Sequence, residues 1–340
     1  MNIQKMLADL TEGISISGFE SPFNEYLKEI LLNYTNDVTI DNLGNVIGVL
    51  HCGLPNARSV MLEAHFDQIG LMVSNVYDGG FLSFTSVGGV DERILPASEV
   101  YIGDKKIYGV IGHKPPHLGG SSKSARISDM VIDTGIENLK EQVNIGDKIA
   151  LKSEFTRLLN NRVSSCAMDN RASIAALISV LESVRNIKLG FDLYIVFTAQ
   201  EELGLCGAYA AAHKISPDAA IVVDVTHGQT PDTAKRVGTF PLSSGAIICR
   251  GPNLHFELTK RLISLAKANE IPYDIEVAAG NSGTSAWAVQ TADKGVATML
   301  ISIPLRYMHT PVETLDISDI DDVSRLIIAY LKQKGGEQFA

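Results

Sequence analysis

The chain has 340 residues, 45% of them hydrophobic and 20% charged, which is material for a full core and argues against wholesale disorder, collagen-like repeats or a coiled coil. A net charge of −10, with Lys and Arg scattered rather than clustered, leaves no basic stripe for a phosphate backbone and excludes nucleic acid as the expected partner. No apolar run reaches the roughly 18 residues of a membrane-spanning helix, and the N-terminal MNIQKMLADLTEG carries acids where a signal peptide needs an apolar stretch, so the expected setting is the cytoplasm, with no membrane partner.

In chain order, Ile3, Met6, Leu7, Leu10 and Ile14 recur at helical spacing, and Ser21-Pro22 offers a cap and a first-turn proline to a second helix carrying Phe23, Leu27, Ile30 and Leu31. DVTID and VIGVL flank the turn NLGN as a hairpin, and SVMLEAH is a short apolar run suited to a central strand that ends at His65. From Phe66 to about Asn161 short β-rich runs (GLMVSNV, GFLSFTSV, KKIYGVIG, KIALKSEF) alternate with Gly and Asp turns and predict a small all-β unit. Beyond it, strand and helix alternate: a helix from Asn170 to Arg185, the strand FDLYIVFTA, a helix near Leu205 to His213, the strand AAIVVDV, a helix from Leu254 to Glu270, the strand YDIEVA, a helix near Thr284 to Gln290, the strand GVATMLISI and a last helix from about Ile317 to Lys334. That alternation predicts an α/β fold, a mixed sheet covered by helices on both faces, formed by residues 1–65 and 162–340 and interrupted at 66–161 by the β-rich insertion, a sandwich or a barrel. The four cysteines, Cys52, Cys166, Cys206 and Cys249, lack CxxC spacing and read as reduced thiols rather than a zinc knuckle or a disulfide framework.

Ligand sites of open α/β sheets form beyond the carboxyl ends of the strands. His65 and Asp67 follow SVMLEA, Asp169 precedes a helix in SSCAMDNRAS, Glu201 and Glu202 follow LYIVFTAQ, Asp224 ends AAIVVD, and His309 follows ATMLISIPLRYM. Each has a plain structural reading: Asp169 as an N-cap, Glu201-Glu202 as complements of a helix dipole, His65 and His309 as core or loop histidines. Taken together, so many carboxylates at one end of one sheet repel unless cations neutralise them. Imidazole and carboxylate without thiolate suit zinc, cobalt or manganese in a hydrolytic site, and the ligand count suits two metals bridged by a carboxylate such as Asp169. Adjacent residues of an extended segment point in opposite directions, so Glu202 can bind metal while Glu201 acts as a base. His113 and His117 in a Pro-rich loop read as solvent-exposed, and His227 and His255 lie near the motifs without a catalytic role.

AHFDQIGLMV, AMDNRAS, TAQEELGLCGA, IVVDVTHG, RGPNLH and LRYMHTPVET, in this order and spread over almost the whole chain, resemble the glutamyl-aminopeptidase-like or tetrahedral-aminopeptidase family of dinuclear metallopeptidases, some members of which carry the label cellulase M. The resemblance implies His65, Asp169 and Asp224 around one metal and Asp169, Glu202 and His309 around the other, with Glu201 as general base and Asp67 orienting the His65 imidazole. It implies two divalent ions per subunit, zinc first with cobalt or manganese as alternatives, short peptides as substrates, and an insertion domain that drives dimers and a hollow dodecamer. The departures are Gly283-Thr284-Ser285-Ala286 where many members read GTDA, Gln68 where an acid is common after the HxD motif, and Cys206 where Arg is frequent. A carboxypeptidase, a deacylase of amino-acid conjugates, and a non-catalytic assembly protein remain as alternatives. A glycosidase is disfavoured against these, because Glu201 and Glu202 are claimed by metal chemistry.

Overall fold

The computed structural model describes residues 2–118, 126–233, 238–333 and 339. The first apolar stripes fold as α1 (Ile3–Thr11) and α2 (Phe23–Leu31), burying Leu7, Leu10, Leu27 and Leu31. Asn2 caps α1 through its side chain, but the expected Ser21 cap of α2 does not form: Pro22 itself holds the N-cap position without a side-chain bond, and the Phe23 N–H donates to the Glu20 carbonyl at 2.8 Å. β1 (Val38–Ile40) and β2 (Val46–Leu50) form the hairpin, its turn tied by the Asp41 carboxylate to the Leu43 and Asn45 N–H groups, and β3 (Ser59–His65) follows.

Six antiparallel strands come next: β4 (Gly70–Val76), β5 (Phe81–Val87), β6 (Glu99–Ile102), β7 (Ile107–His113), β8 (Met130–Asp133) and β9 (Lys148–Leu151). They close into a barrel in the order β4-β5-β8-β7-β6-β9, and their alternate residues Leu71, Val73, Leu82, Phe84, Val100, Ile102, Ile132 and Ile149 fill its interior. Closure leaves no unpaired edge.

The chain then runs through β10 (Thr156–Arg157), β11 (Arg162–Ser165), α3 (Met168–Val184), β12 (Asp192–Thr198), α4 (Cys206–Ile215), β13 (Ala219–His227), β14 (Ala246–Arg250), α5 (Phe256–Ala268), β15 (Tyr273–Val277), α6 (Ala286–Val289), β16 (Ala297–Leu305), β17 (Glu313–Asp316) and α7 (Ile317–Leu331). The main sheet has the order β1-β2-β12-β3-β13-β16-β14-β15, with β12, β3, β13 and β16 parallel at its centre and antiparallel pairings at β2–β12 and β14–β16. Its two faces follow strand alternation: Val60, Leu62 and Ala64 of β3 pack toward α1, α3 and α7, whereas Met61 packs with α4 and α6. β10, β11 and β17 form a separate three-stranded antiparallel sheet, so the chain leaves the barrel after Leu151. α6 is shorter than the expected span at 284–290, and α7 stops at Leu331, with Lys334 outside the described residues. Among the described residues no helix is long and apolar enough to cross a membrane.

Candidate metal centre

Three parallel strands deliver the first side chains. His65 is the last residue of β3, Glu201 and Glu202 sit in the turn after β12, and Asp224 lies on β13. Asp224 does not end its strand: β13 continues to His227 because pairing with β16 persists, while pairing with β3 stops at Val222 opposite Glu63. On the β3 side Asp224 therefore stands past the last paired residue, facing His65. Asp169 is not the N-cap of α3 either. Ala167 holds that position, and Asp169 (φ −78°, ψ 101°) and Asn170 (φ −123°, ψ 36°) are non-helical, so the Asp169 carboxylate meets two imidazoles instead of capping N–H groups. Asn170 secures this turn by donating to the Val223 carbonyl at 2.9 Å.

The structure brings all seven residues together. Asp169 Oδ1 lies 3.1 Å from His65 Nε2, and its Oδ2 lies 3.4 Å from His309 Nε2. His65 Nε2 is 3.8 Å from Asp224 and 4.0 Å from Glu201, and His309 Nε2 is 3.1 Å from Glu202. Two groups of potential metal ligands emerge, His65–Asp169–Asp224 and Asp169–Glu202–His309, each with its donor atoms within 4.8 Å of one another. Asp169 belongs to both. Asp67, fully buried, accepts the N–H groups of Glu201 and Glu202 at 3.0 and 3.1 Å while its Oδ1 lies 3.5 Å from His65 Nδ1.

The charges are mutually dependent. Burial alone would raise Asp67, but the His65 ring and the Glu201 N–H hold it below the usual carboxylate range. Burial would likewise depress the imidazoles, yet Glu201, Asp169 and Asp67 lift His65, and Asp169 and Glu202 lift His309 to about 11. Glu201 is pushed up to about 8 by burial first, with Glu202, Asp169 and Asp67 adding to it against His65. Protons thus offset part of the negative charge that bound cations would offset, and their displacement would couple metal binding to pH.

Sequence reasoning missed three supports. Buried Glu313 accepts the His309 N–H at 2.8 Å on one oxygen and the Asp169 N–H at 3.2 Å on the other, fixing the backbone of two candidate ligands. Glu20 accepts the Gln200 N–H at 3.1 Å, next to the Glu201-Glu202 turn. The Gly89 carbonyl from the barrel unit meets His309 Nδ1 at 2.9 Å. Glu313 within LRYMHTPVET was the only one of these with a signal, since an acid four residues after His309 is close enough in sequence to reach back. Gln68, the departure after the HxD motif, takes the guanidinium of buried Arg171 at 3.2 Å. His255 caps α5, and neither His113 nor His117 joins a candidate ligand group among the described residues.

A mixed sheet sandwiched by helices, interrupted by a barrel, with carboxylates and imidazoles gathered at its carboxyl edge, defines a metallohydrolase architecture. The M42 glutamyl aminopeptidase family matches residues 44–326, and the chain belongs to that family. It is 33% identical to the lysyl aminopeptidase of Pyrococcus furiosus over 340 residues, covering 97% of this chain and 96% of the other. Among solved structures it resembles an aminopeptidase from Desulfurococcus kamchatkensis (TM-score 0.91, 32% identity, 99% and 96% coverage). It also resembles a Pyrococcus horikoshii peptidase that can assemble into a tetrahedron or a large octahedral shell (TM-score 0.85, 31% identity, 97% and 99% coverage).

Proposed function

We propose that this chain is a cytoplasmic metal-dependent aminopeptidase that removes the N-terminal residue of short peptides at a dinuclear centre. The observation that carries the reading is Asp169, whose two oxygens face His65 and His309 and so belong to both ligand groups. His65, Asp169 and Asp224 would hold one ion, and Asp169, Glu202 and His309 the other. The donor set of imidazole and carboxylate fits zinc, with cobalt or manganese next. When bound, such ions supply positive charge that polarises the scissile carbonyl and acidifies water.

The remaining work falls to the chain. Glu201, anchored through its N–H by Asp67, takes a proton from the attacking water and passes it to the departing amine. Asp67 keeps the His65 ring oriented, and Glu313 keeps Asp169 and His309 in register. A cavity of about 280 Å³ lies over these groups. On the barrel, exposed Tyr77, Phe81, Tyr108, Val110 and Val131 support self-association into dimers and then a dodecamer.

The test is cleavage by the zinc-loaded protein of three substrates: a free aminoacyl-anilide, its N-acetyl derivative, and an N-blocked peptide with a free carboxyl end. Cleavage of the first alone is expected. Release from the third identifies a carboxypeptidase, cleavage of the second shows that no free amine is required, removal of its acetyl group identifies a deacylase, and no turnover of any speaks for an assembly protein.

A further inference from the structure

The cavity over the ligand groups has a wall that peptide cleavage does not require. Thr226 follows Asp224 by two residues on β13, so both side chains leave the same face of the sheet, roughly 6.6 Å apart along the strand. The Thr226 hydroxyl donates to Glu276 Oε1 at 2.9 Å, which ties this carboxylate to β13 two residues beyond Asp224. Glu276 is the only carboxylate in the lining besides Asp169, Glu201, Glu202 and Asp224. Among the described residues no Lys or Arg forms an ion pair with it.

Three neighbours define what could occupy the space. Met308 supplies an apolar, adaptable surface. Ser302, register partner of Asp224, carries a buried hydroxyl with no hydrogen-bond partner and lines the same cavity. The Gly283-Thr284 wall brings no charge. Burial lifts the Glu276 carboxyl above its ordinary range, against the pull of Thr226 and His227.

We infer that Glu276 selects peptides whose N-terminal residue carries a long cationic side chain, lysine above all, with its stem along Met308 and its ammonium at the Glu276 carboxylate. The inference rests on the aminopeptidase reading and narrows it. A four-carbon stem crosses the two-residue step between Asp224 and Thr226, and the ammonium gives Glu276 the charge-assisted bond it lacks. An acidic side chain would meet a fifth carboxylate. An apolar one would desolvate Glu276 and add no charge-assisted partner to the Thr226 hydroxyl, which disfavours it.

The experiment titrates L-lysine and L-norleucine, the same stem ending in a methyl group, into the zinc-loaded full chain and into Glu276→Gln, which keeps an acceptor for Thr226. Calorimetry should show lysine binding about tenfold or more tightly to the wild type, and no such preference in Glu276→Gln. Equal binding of the two ligands by the wild type, or a preference that survives the substitution, overturns the inference. In parallel, the ratio of kcat/KM for lysyl- over leucyl-anilide should fall about 10- to 100-fold in Glu276→Gln. An unchanged ratio with both rates reduced marks Glu276 as a structural tie between β13 and β15 and also overturns it. A Glu276-dependent lysine preference without cleavage of either anilide sustains the pocket assignment and removes the aminopeptidase reading instead.

Discussion

Asp67 holds the backbone N–H groups of Glu201 and Glu202 on its two oxygens, and from that shared anchor the neighbouring carboxylates reach different histidines, Glu201 toward His65 and Glu202 toward His309. Their variants should therefore behave differently. Glu201→Gln is expected to retain both metal ions and lose on the order of 10²–10⁴ in turnover, whereas Glu202→Gln should also lose occupancy at one position. Elemental analysis beside a rate measurement checks this, and identical metal content with surviving activity in both variants contradicts it. Glu313 offers a subtler case. Glu313→Gln keeps one acceptor but not two, so metal affinity should weaken by roughly 10- to 100-fold, as read by chelator competition; unchanged affinity would show that the strap to Asp169 and His309 is dispensable. The candidate ligand residues stand out in the sequence because each lies near the carboxyl end of a strand, where side chains converge. Glu20 and Gly89 do not, because one acts on a backbone group and the other offers one, and Glu313 shows only its local reach to His309, since its bond to the Asp169 N–H is decided by tertiary approach.

Among elements, the start of α3 departs furthest from its sequence signal. An Asp ahead of an apolar helical stripe is the ordinary N-cap pattern, yet the turn is bent at Asp169 and Asn170 and the carboxylate is given over to His65 and His309. Behind that turn Arg171, fully buried, donates to the Phe66, Leu10 and Gly13 carbonyls, to Ser15 Oγ and to Gln68, joining the end of α1 to the His65–Asp67 segment. Arg171→Met leaves those acceptors without donors and should cost about 3–5 kcal/mol of stability, visible as a lowered denaturation midpoint; a shift under about 1 kcal/mol refutes the staple. At the opposite edge, His51 bridges Asp37 and Asp192, and those two bonds raise its pKa above the ordinary 6.5. A folded value above the unfolded one stabilises fully below about pH 6.5 and is lost as pH rises through the folded value. The gap in Tm between wild type and His51→Gln should accordingly be widest near pH 6 and close at alkaline pH, and a gap independent of pH argues against the bridge. Strand and helix order is legible from periodicity, but the length of β13 is not, since it depends on β16 continuing beside it.

For the whole molecule, the closed barrel between β3 and α3 contributes, among the described residues, no side chain to either candidate ligand group, although its unit reaches the site through the Gly89 carbonyl. Tyr108, Val110 and Val131 on β7 and β8 stay exposed, an apolar surface on an otherwise acidic molecule. Light scattering after size exclusion should report dimers or larger species, and the double variant Val110→Asp, Val131→Asp on these neighbouring strands should shift the population to smaller ones; a monomer mass for the wild type across the micromolar range removes the assembly claim. The barrel's existence is legible from its Gly-punctuated β runs. Its closure is not, because closure depends on β9 reaching both β4 and β6. The central claim, that Asp169 bridges two ions on which hydrolysis depends, is tested most directly by stripping the protein with a chelator and restoring zinc stepwise while following release of the N-terminal residue from an unblocked aminoacyl-anilide. The account predicts negligible activity in the stripped protein and recovery that saturates at two equivalents per chain. Full activity without metal, or saturation at one equivalent with the second never bound, would contradict it.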